Sequence, residues 1–364
     1  DDAKGALLLE PSRSNDIIYS EYLTKSNWLK IRSSVSESTI ISPNGNKNAF
    51  ILESDISASA VTYYAAQDVS VVSGDNYTNS VFIKKGNSDF AYLEIGQRAT
   101  GYLGNSSIVF QFSTETLGSI LSSGIVPTNL SAKVEKFVNG WYRLSISGTI
   151  SGATTINRMV LGMCNSLTST NYATTTNDNV YFYGAQVEKG SYATSYIPTQ
   201  GSVVTRVADV SSQTNISNNI ISSSYPFTIY VESENIFGGG VAISFIDTSA
   251  ADKYFNVSIV NNVVTAYSRA NSSLENIISG VTLTNGQRFK AAFTMENSTS
   301  GKLSVNGNIV SKTNFVNQST NVNINDLLLG QLRVVSDNGE RLPIYGVRVY
   351  NTALTNAELQ ALTQ

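Results

Sequence analysis

Histidine is absent from this chain of 364 residues, and cysteine occurs once, at Cys164. Without histidine the chain cannot build a Ser-His-Asp or Cys-His catalytic arrangement, or most zinc sites. A single cysteine cannot form an internal disulfide, which indicates folding in a reducing compartment even if the protein later works outside the cell. Carboxylate pairs and oxygen-ligated calcium remain as the catalytic and metal chemistries open to the sequence.

Charge is also scarce: Asp, Glu, Lys and Arg make up 14% of the residues, and the net charge is −3. Typical soluble domains have about 25% charged residues. Since no cluster of Lys or Arg is present, we predict binding neither to nucleic acid nor to an anionic membrane surface. The polar surface must be built from Ser, Thr, Asn and Tyr, which is typical of extracellular β-proteins and suits neutral, hydroxyl-rich ligands such as sugars.

Long apolar runs are missing as well. Runs such as residues 6–9 are far too short to span a membrane, so no membrane insertion is expected. No signal peptide is visible, and because the chain starts at Asp1 without Met we expect a fragment of a longer protein.

Apolar residues alternate with polar ones in several segments, the pattern of strands with one face on a core. In residues 77–84, Tyr77, Val81 and Ile83 share one face, which Asn79 interrupts. Two further segments alternate in the same way: Tyr142, Leu144 and Ile146; and Tyr345, Val347 and Val349.

Turn and helix signals complete the pattern. Asn306-Gly307 stands between two apolar stretches, as a type I′ hairpin turn requires. One helix is predicted near the end of the chain, where Thr355 and Glu358 can form a capping box and Leu354, Leu359 and Leu362 can dock on the body. One short helix among many strands predicts an all-β fold of sandwich or barrel type rather than βαβ units.

The length suits two cores better than one, and the polar, turn-rich residues 211–224 look like a linker. We therefore predict one domain at 1–210, a linker at 211–224, and a second domain at 225–364.

Several stretches resemble a known pair of domains. "SGDNYTNSVFIKKGNSDFAYLEIG", "VNGWYRLSISGTI" and "VYFYGAQVEKGSYATSYIPTQGSVVTRVAD" resemble the carbohydrate-binding-module-like jelly roll of phage tail fibre and receptor-binding proteins. "FTIYVESEN", "KLSVNGNIV" and "IYGVRVYNTALTNAELQAL" resemble the concanavalin A-like, laminin-G-like domain that often follows it. The order of the stretches matches, and together they cover most of the chain.

The resemblance implies two tandem β-sandwich (jelly-roll) domains with one short C-terminal helix. It also implies a non-enzymatic, virion-associated protein of the tail, synthesised in the host cytoplasm, that recognises polysaccharide or glycoprotein on a bacterial surface. A homotrimer is the expected state in a full fibre, although no stalk or heptad repeat is present to build one. Two alternatives stay open: a structural virion decoration protein without a ligand, and a module of a polysaccharide-degrading enzyme.

Sugar binding uses an aromatic platform surrounded by amides and carboxylates. In residues 90–98, alternation places Ala91, Leu93 and Ile95 toward a core and puts an aromatic pair beside a carboxylate on the other face. That second face is our candidate glycan-binding face. The candidate residues are Tyr63, Tyr64, Tyr92, Glu94, Arg98 and Tyr102.

No cofactor is expected, although a structural calcium ion stays open as an alternative. Jelly rolls similar to the first domain often carry acidic residues on the closing strand, where this chain has Gly184-Ala185-Gln186. In the second domain the available oxygen donors lack a tight Asp-x-Asp-x-Asp spacing. These donors are Asp247, Asp252, Asp337, Asn338 and Glu340.

Glu232 and Glu234 share one face of a predicted strand, about 7 Å apart. Retaining glycosidases hold two carboxyl groups about 5–5.5 Å apart, and the residues that follow Glu234 supply no third acid. We therefore predict that the chain is not an enzyme and that it has no catalytic residues.

Overall fold

The computed structural model describes residues 9–55, 62–172, 177–209, 212–213, 225–236, 239–247, 253–270, 273–316, 326–330 and 342–364. Over these ranges the protein is all-β with a single short α-helix near its C-terminal end, as the alternation predicted. It forms two compact units. The first unit is Arg13–Arg206, and the second unit is residues 207–364 together with 9–12.

The strands of the first unit are β1 Arg13–Asn15, β2 Leu29–Ile31, β3 Ser33–Glu37, β4 Phe50–Ser54, β5 Tyr63–Ser70, β6 Asn76–Lys85, β7 Phe90–Arg98, β8 Tyr102–Gln111, β9 Thr116–Leu117, β10 Leu121–Gly124, β11 Thr128–Lys136, β12 Trp141–Thr149, β13 Ile156–Met163, β14 Asn179–Lys189 and β15 Val204–Arg206.

Two large antiparallel sheets make the sandwich of the first unit. The front sheet has the order β10-β8-β7-β13-β5-β2, with β9 paired to β8. The back sheet has the order β11-β12-β6-β14-β4-β3. Side chains from both sheets form one hydrophobic core, and β1 pairs with β15 in a separate two-stranded ribbon.

The strands of the second unit are β16 Ser212–Gln213, β17 Phe227–Asn235, β18 Gly240–Ile246, β19 Tyr254–Val260, β20 Val263–Ala270, β21 Ser273–Thr282, β22 Gln287–Asn297, β23 Ser300–Val305, β24 Asn308–Thr313, β25 Asp326–Leu329 and β26 Ile344–Tyr350. They form two sheets, with the orders β16-β25-β18-β19-β20-β21 and β24-β23-β22-β17-β26, around a second core. Helix α1 (Asn356–Thr363) follows.

The predicted linker at 211–224 is described only at Ser212–Gln213, which pairs with β25; its other residues lie outside the described ranges. The predicted domain limits 1–210 and 225–364 stay a prediction. Within the second unit, residues 9–12 are joined to the segment that begins at residue 207, because Asp209 donates its backbone N–H to the Glu10 carbonyl at 2.9 Å.

The alternation correctly predicted which face of several strands is buried. In β6, Tyr77, Val81 and Ile83 lie in the first core. Asn79, which interrupts the apolar face, is fully buried, and its Oδ1 accepts a hydrogen bond from Asn157 Nδ2 at 2.6 Å. The polar residue is tolerated because its amide is satisfied inside the core.

The local signals near the C-terminal end are also confirmed. Asn306 and Gly307 both have positive φ, 47° and 81°, between β23 and β24, as a type I′ turn needs. Thr355 and Glu358 form the predicted capping box at the start of α1. The helix packs on the outer side of the β22–β17 sheet, where the fully buried Leu359 contacts a cluster that includes Tyr230 and Ala292.

One face prediction is wrong. Val347 and Val349 pack against the second core, but Tyr345 does not share their face. A β-bulge lies where Glu232 pairs with Gly346 and Ser233 pairs with Ile344, so Ile344 takes the core position. Because a bulge adds one residue to the strand, it turns Tyr345 to the outer face.

A buried polar junction holds the closing part of the first unit. Asn15 is fully buried and makes four hydrogen bonds. Its Nδ2 donates to the carbonyls of Ala185 (3.1 Å) and Ile197 (2.8 Å), and its Oδ1 accepts the N–H groups of Ile17 (3.1 Å) and Val187 (3.2 Å). One side chain thus joins β1, β14 and the segment at residues 190–199.

Two further side chains complete this junction. Gln186 accepts the N–H of Ile197 at 2.8 Å and donates to Glu188 at 2.7 Å. Glu188, also fully buried, accepts both the N–H (2.9 Å) and the hydroxyl (2.7 Å) of Thr194. Burial raises the pKa of Glu188, while the bonds from Thr194 and Gln186 oppose that shift. The segment after β14 is therefore bonded to the sandwich rather than free to leave it.

We expect Asn15→Ala to lower the free energy of unfolding of the first unit by about 2–4 kcal/mol, because two buried carbonyls and two buried N–H groups lose their partner. Tryptophan fluorescence during urea unfolding measures this, since both tryptophans, Trp28 and Trp141, lie in the first unit. Ser14→Ala on the same strand is the control and should change stability by less than about 0.5 kcal/mol, because its bond to Thr205 is exposed. Equal effects of the two changes would contradict the role of the junction.

Candidate functional site

The outer face of the front sheet carries the predicted binding residues. In β7, Ala91, Leu93 and Ile95 lie in the first core, as expected from the alternation. Glu94 therefore lies on the opposite, outer face, where its strand neighbours are Ser107 on β8 and Val160 on β13. The sheet thus positions this carboxylate among residues of two adjacent strands.

Glu94 is the polar centre of this face. Its Oε2 accepts hydrogen bonds from Asn105 Nδ2 at 2.6 Å and from the Ser107 hydroxyl at 2.9 Å. Burial raises the pKa of Glu94, and these two bonds, with the guanidinium groups of Arg98 and Arg158, act in the opposite direction. The carboxylate is fixed in place and its neighbours are oriented by it.

An exposed aromatic ring lies beside this centre. Tyr102 is 54% exposed, and its hydroxyl donates to Asn105 Oδ1 at 2.7 Å. The Arg98 guanidinium lies over the ring, 5.6 Å from its centroid. We call Tyr102, Asn105, Glu94, Arg98 and Ser107 the Tyr102 cluster. It combines an oriented aromatic surface with amide, carboxylate and guanidinium groups, and it brings together three of the six predicted residues.

The other three predicted residues lie elsewhere, and two of them need correction. Tyr63 is fully buried in the first core, where its ring packs edge-on against Tyr172 at 5.8 Å, so it is a core residue and not a ligand contact. Tyr92 does lie on the outer face but is only 1% exposed. Its ring covers Gly162 on β13, where an added Cβ would lie 2.2 Å from the ring. Tyr64 is half-buried beside it.

Tyr92 is covered because an apolar cluster occupies its end of the outer face. The buried members of that cluster are Ala66, Tyr92, Val109, Val160 and Cys164, with Leu121 and Leu167 packed against them. Burial raises the pKa of the Cys164 thiol to about 12. The part of the outer face that stays open to solvent is thus narrower than expected, and it lies toward Tyr102.

Sequence reasoning missed a second polar pair on the same face. Arg158 on β13 lies opposite Asp68 on β5 and opposite Gly96 on β7. Its Nε and Nη2 donate to the two oxygens of Asp68 at 2.5 and 2.6 Å. Asn105 lies opposite Gly96 on its other side, so Asp68, Arg158, Gly96 and Asn105 form one row across four strands. The available signal was that Arg158 alternates with Asn157 and Met159, whose side chains are buried.

Asp16, just after β1, is a weaker acid than an ordinary aspartate. Burial, and to a lesser degree the nearby Glu188 carboxylate, raise its pKa from 3.8 to about 6. Among the described residues, its carboxyl group has neither a hydrogen bond nor an ion pair.

The two glutamates of β17 share the outer face of their sheet, as predicted, with Glu232 opposite Lys290 and Glu234 opposite Arg288. Glu234 accepts a hydrogen bond from the Tyr345 hydroxyl at 2.6 Å and lies 3.9 Å from Arg288. The Arg288 guanidinium stacks on the Tyr345 ring, 3.7 Å from its centroid. This carboxylate is therefore engaged in an aromatic and ionic cluster.

The described residues contain no group of three or more acidic or cysteine side chains that could hold a metal ion. Of the predicted calcium donors, Asp247 is buried, with its N–H bonded to the Lys253 carbonyl, and the others lie outside the described ranges. Gln186, at the place where related jelly rolls carry an acid, is bonded to Ile197 and Glu188. A structural calcium ion therefore stays an untested alternative.

The fold and this face define a class, an all-β protein of two sandwiches with an aromatic and polar cluster on one sheet. No protein-family model matches the sequence. No curated protein matches it either. No helix in the described ranges is both long and apolar enough to cross a membrane.

Several solved structures are similar in part. A heptameric SAP-like pentraxin from Limulus polyphemus is 12% identical, with a TM-score of 0.33 over 37% of this chain and 68% of that one. The botulinum neurotoxin serotype D binding domain is 14% identical, with a TM-score of 0.32 over 40% of this chain and 37% of that one. The CBM40 of Ruminococcus gnavus IT-sialidase, bound to α2,6-sialyllactose, is 17% identical, with a TM-score of 0.32 over 42% and 92%.

We expect Asp16→Asn to remove a pH dependence of stability. The folded-state pKa of Asp16 is raised to about 6, so the folded protein favours the protonated carboxyl group. The resulting contribution to the free energy of unfolding is fully present below pH 4 and is lost as the pH rises through 6. Relative to the parent, the variant should therefore gain stability between pH 4 and pH 7, by about 1 kcal/mol after allowing for solvent screening at this half-buried site. Urea unfolding followed by tryptophan fluorescence at several pH values measures the gain. A stability difference that does not change with pH would contradict the assignment.

Proposed function

We propose that this protein is a non-enzymatic glycan-binding protein whose first unit binds sugar at the Tyr102 cluster. The observation that carries the proposal is an exposed tyrosine held in one orientation beside a fixed carboxylate. Tyr102 is bonded to Asn105 and covered on one side by Arg98, and Asn105 is in turn bonded to Glu94. The apolar face of a sugar ring stacks on such an aromatic, and its hydroxyls bond to the surrounding amide, carboxylate and guanidinium groups.

The shape of the face supports a shallow site for a neutral ligand. The Tyr102 cluster lies on a sheet rather than in a deep cavity, and its ring is open to solvent. The polar groups around the ring are few and already oriented by each other, so binding orders little that was mobile before. Such sites bind weakly one at a time.

We propose further that the protein acts at the tail of a phage virion, outside the cell, where it binds polysaccharide or glycoprotein on a bacterial surface. The support is the resemblance of its quoted stretches to tail fibre and receptor-binding proteins. Weak single sites are effective there if several copies act together, because linked sites raise the overall affinity by about 10²–10⁴. A homotrimer in the full fibre would supply those copies.

The enzyme alternative has less support. A general acid must carry a proton that it can donate, whereas Glu234 accepts a hydrogen bond from Tyr345 and faces Arg288. No cofactor is part of the proposal.

Binding of the labelled protein to intact bacteria, with and without periodate oxidation of their surface sugars, tests the function. We expect periodate to abolish binding. Tyr102→Ala should weaken binding about tenfold or more, as loss of a central aromatic contact does. Tyr102→Phe should weaken it by less than about threefold, because it keeps the ring and loses only one exposed hydrogen bond.

Two controls accompany this test. Val138→Ala removes a side chain that is 69% exposed at a turn next to β12, and Tyr92→Phe changes a buried ring. Neither should alter binding. Binding that survives periodate would point to a protein receptor, and absence of binding by the parent protein would favour the structural decoration role. The enzyme alternative would be favoured if the parent protein released sugars from the bacterial polysaccharide and the Glu232→Gln variant did not.

A further inference from the structure

A cleft of about 430 Å³ opens in the first unit at the edge of the front sheet. It exists because β2 is short and pairs with β5 only from Tyr64 to Ala66, so the later part of β5 extends past the end of β2. The segment after β1 forms another wall of the cleft. The polar lining residues are Asp16, Asn27, Gln67, Asp68, Ser70 and Arg158.

The lining presents one acceptor that the described residues do not use. Asp16 bonds to no described side chain, and because its pKa of about 6 lies below 7 it is ionised at neutral pH. Gln67 is 5% exposed and its Oε1 is buried, so a ligand in the cleft does not reach that oxygen. Asp68 is neutralised by Arg158. A half-buried carboxylate without a partner is suited to a ligand that donates hydrogen bonds and carries positive charge.

The cleft and the Tyr102 cluster lie at the two ends of one polar row. The row runs from Asn105 through Gly96 and Arg158 to Asp68, one residue on each of four neighbouring strands. At about 4.8 Å per strand, it spans about 14 Å, the scale of a short oligosaccharide. Gly96 has no side chain, so no side chain rises from the sheet between Asn105 and Arg158.

We propose that a linear glycan lies across these strands, with one sugar on Tyr102 and an amino sugar with a free, unacetylated amine in the cleft beside Asp16. This rests on the proposed glycan binding and specifies its ligand. The amine donates to the Asp16 carboxylate. An acetyl group would remove the positive charge that Asp16 attracts.

Calorimetric titration at pH 7 with two tetramers tests the proposal, one of β1,4-linked glucosamine and one of its N-acetylated counterpart. We expect the parent protein to bind the free-amine tetramer more tightly. Asp16→Asn should reduce this preference about tenfold, the effect of losing one charge-assisted hydrogen bond. Tyr102→Ala should weaken both tetramers, because it removes the shared aromatic surface.

Glu37→Gln is the matched control, because it removes one negative charge from an exposed position on β3 of the back sheet. It should leave the preference unchanged. Equal affinity for the two tetramers, a preference that survives Asp16→Asn, or binding of neither tetramer would overturn the cleft assignment. Since binding to bacteria is measured separately, the general glycan function would still stand if that binding remained sensitive to periodate and to Tyr102→Ala.

Discussion

The first unit depends on a small set of buried polar groups that satisfy one another. Asn15, Gln186 and Glu188 lie where water is excluded, so each donor and acceptor must find a protein partner or lower the stability of the fold. Together they bond the chain entering the sandwich, its closing strand β14 and the segment that leaves it. The junction thus joins the start and the end of the first unit to strand β14 of the back sheet.

Scarcity of charge gives the few charged residues of the front sheet particular weight. Glu94 and the Asp68–Arg158 pair lie in adjacent rows of the outer face, and Arg98 lies on the same face over the Tyr102 ring. Each is held by neighbours: Glu94 by Asn105 and Ser107, and Arg158 by both oxygens of Asp68. These bonds hold the polar groups in place, which would reduce the entropy that ligand binding costs. The residues of the Tyr102 cluster lie on strands rather than on loops.

Local patterns predicted much of this structure, because their causes are local. Alternation found the buried faces of β6 and β7, and the Asn306-Gly307 turn and the capping box at Thr355 follow from backbone geometry over a few residues. The errors came from long-range contacts. Tyr345 faces outward because of a bulge set by pairing with β17. Alternation cannot reveal either a bulge or which strands are neighbours.

The same limit applies to the outer face of the front sheet. Sequence spacing grouped Glu94, Arg98 and Tyr102, which are close along one hairpin, and the structure brings them together. It could not show that Tyr92 is covered by an apolar cluster that includes Leu167, far along the chain. Nor could it place Arg158 between Asp68 and Gly96, since that row exists only through the strand order β7-β13-β5.

The ribbon of β1 and β15 has a mechanical consequence. Arg13 pairs with Arg206 and Asn15 with Val204, so the chain enters and leaves the first unit side by side. Tension applied along the polypeptide would open this ribbon one residue pair at a time, starting at the pair of Arg13 and Arg206. The load would then reach the hydrogen bonds of Asn15 before it reached any strand of the front sheet. A pull on the chain would thus be borne at the entrance of the unit, while the surface around Tyr102 kept its shape.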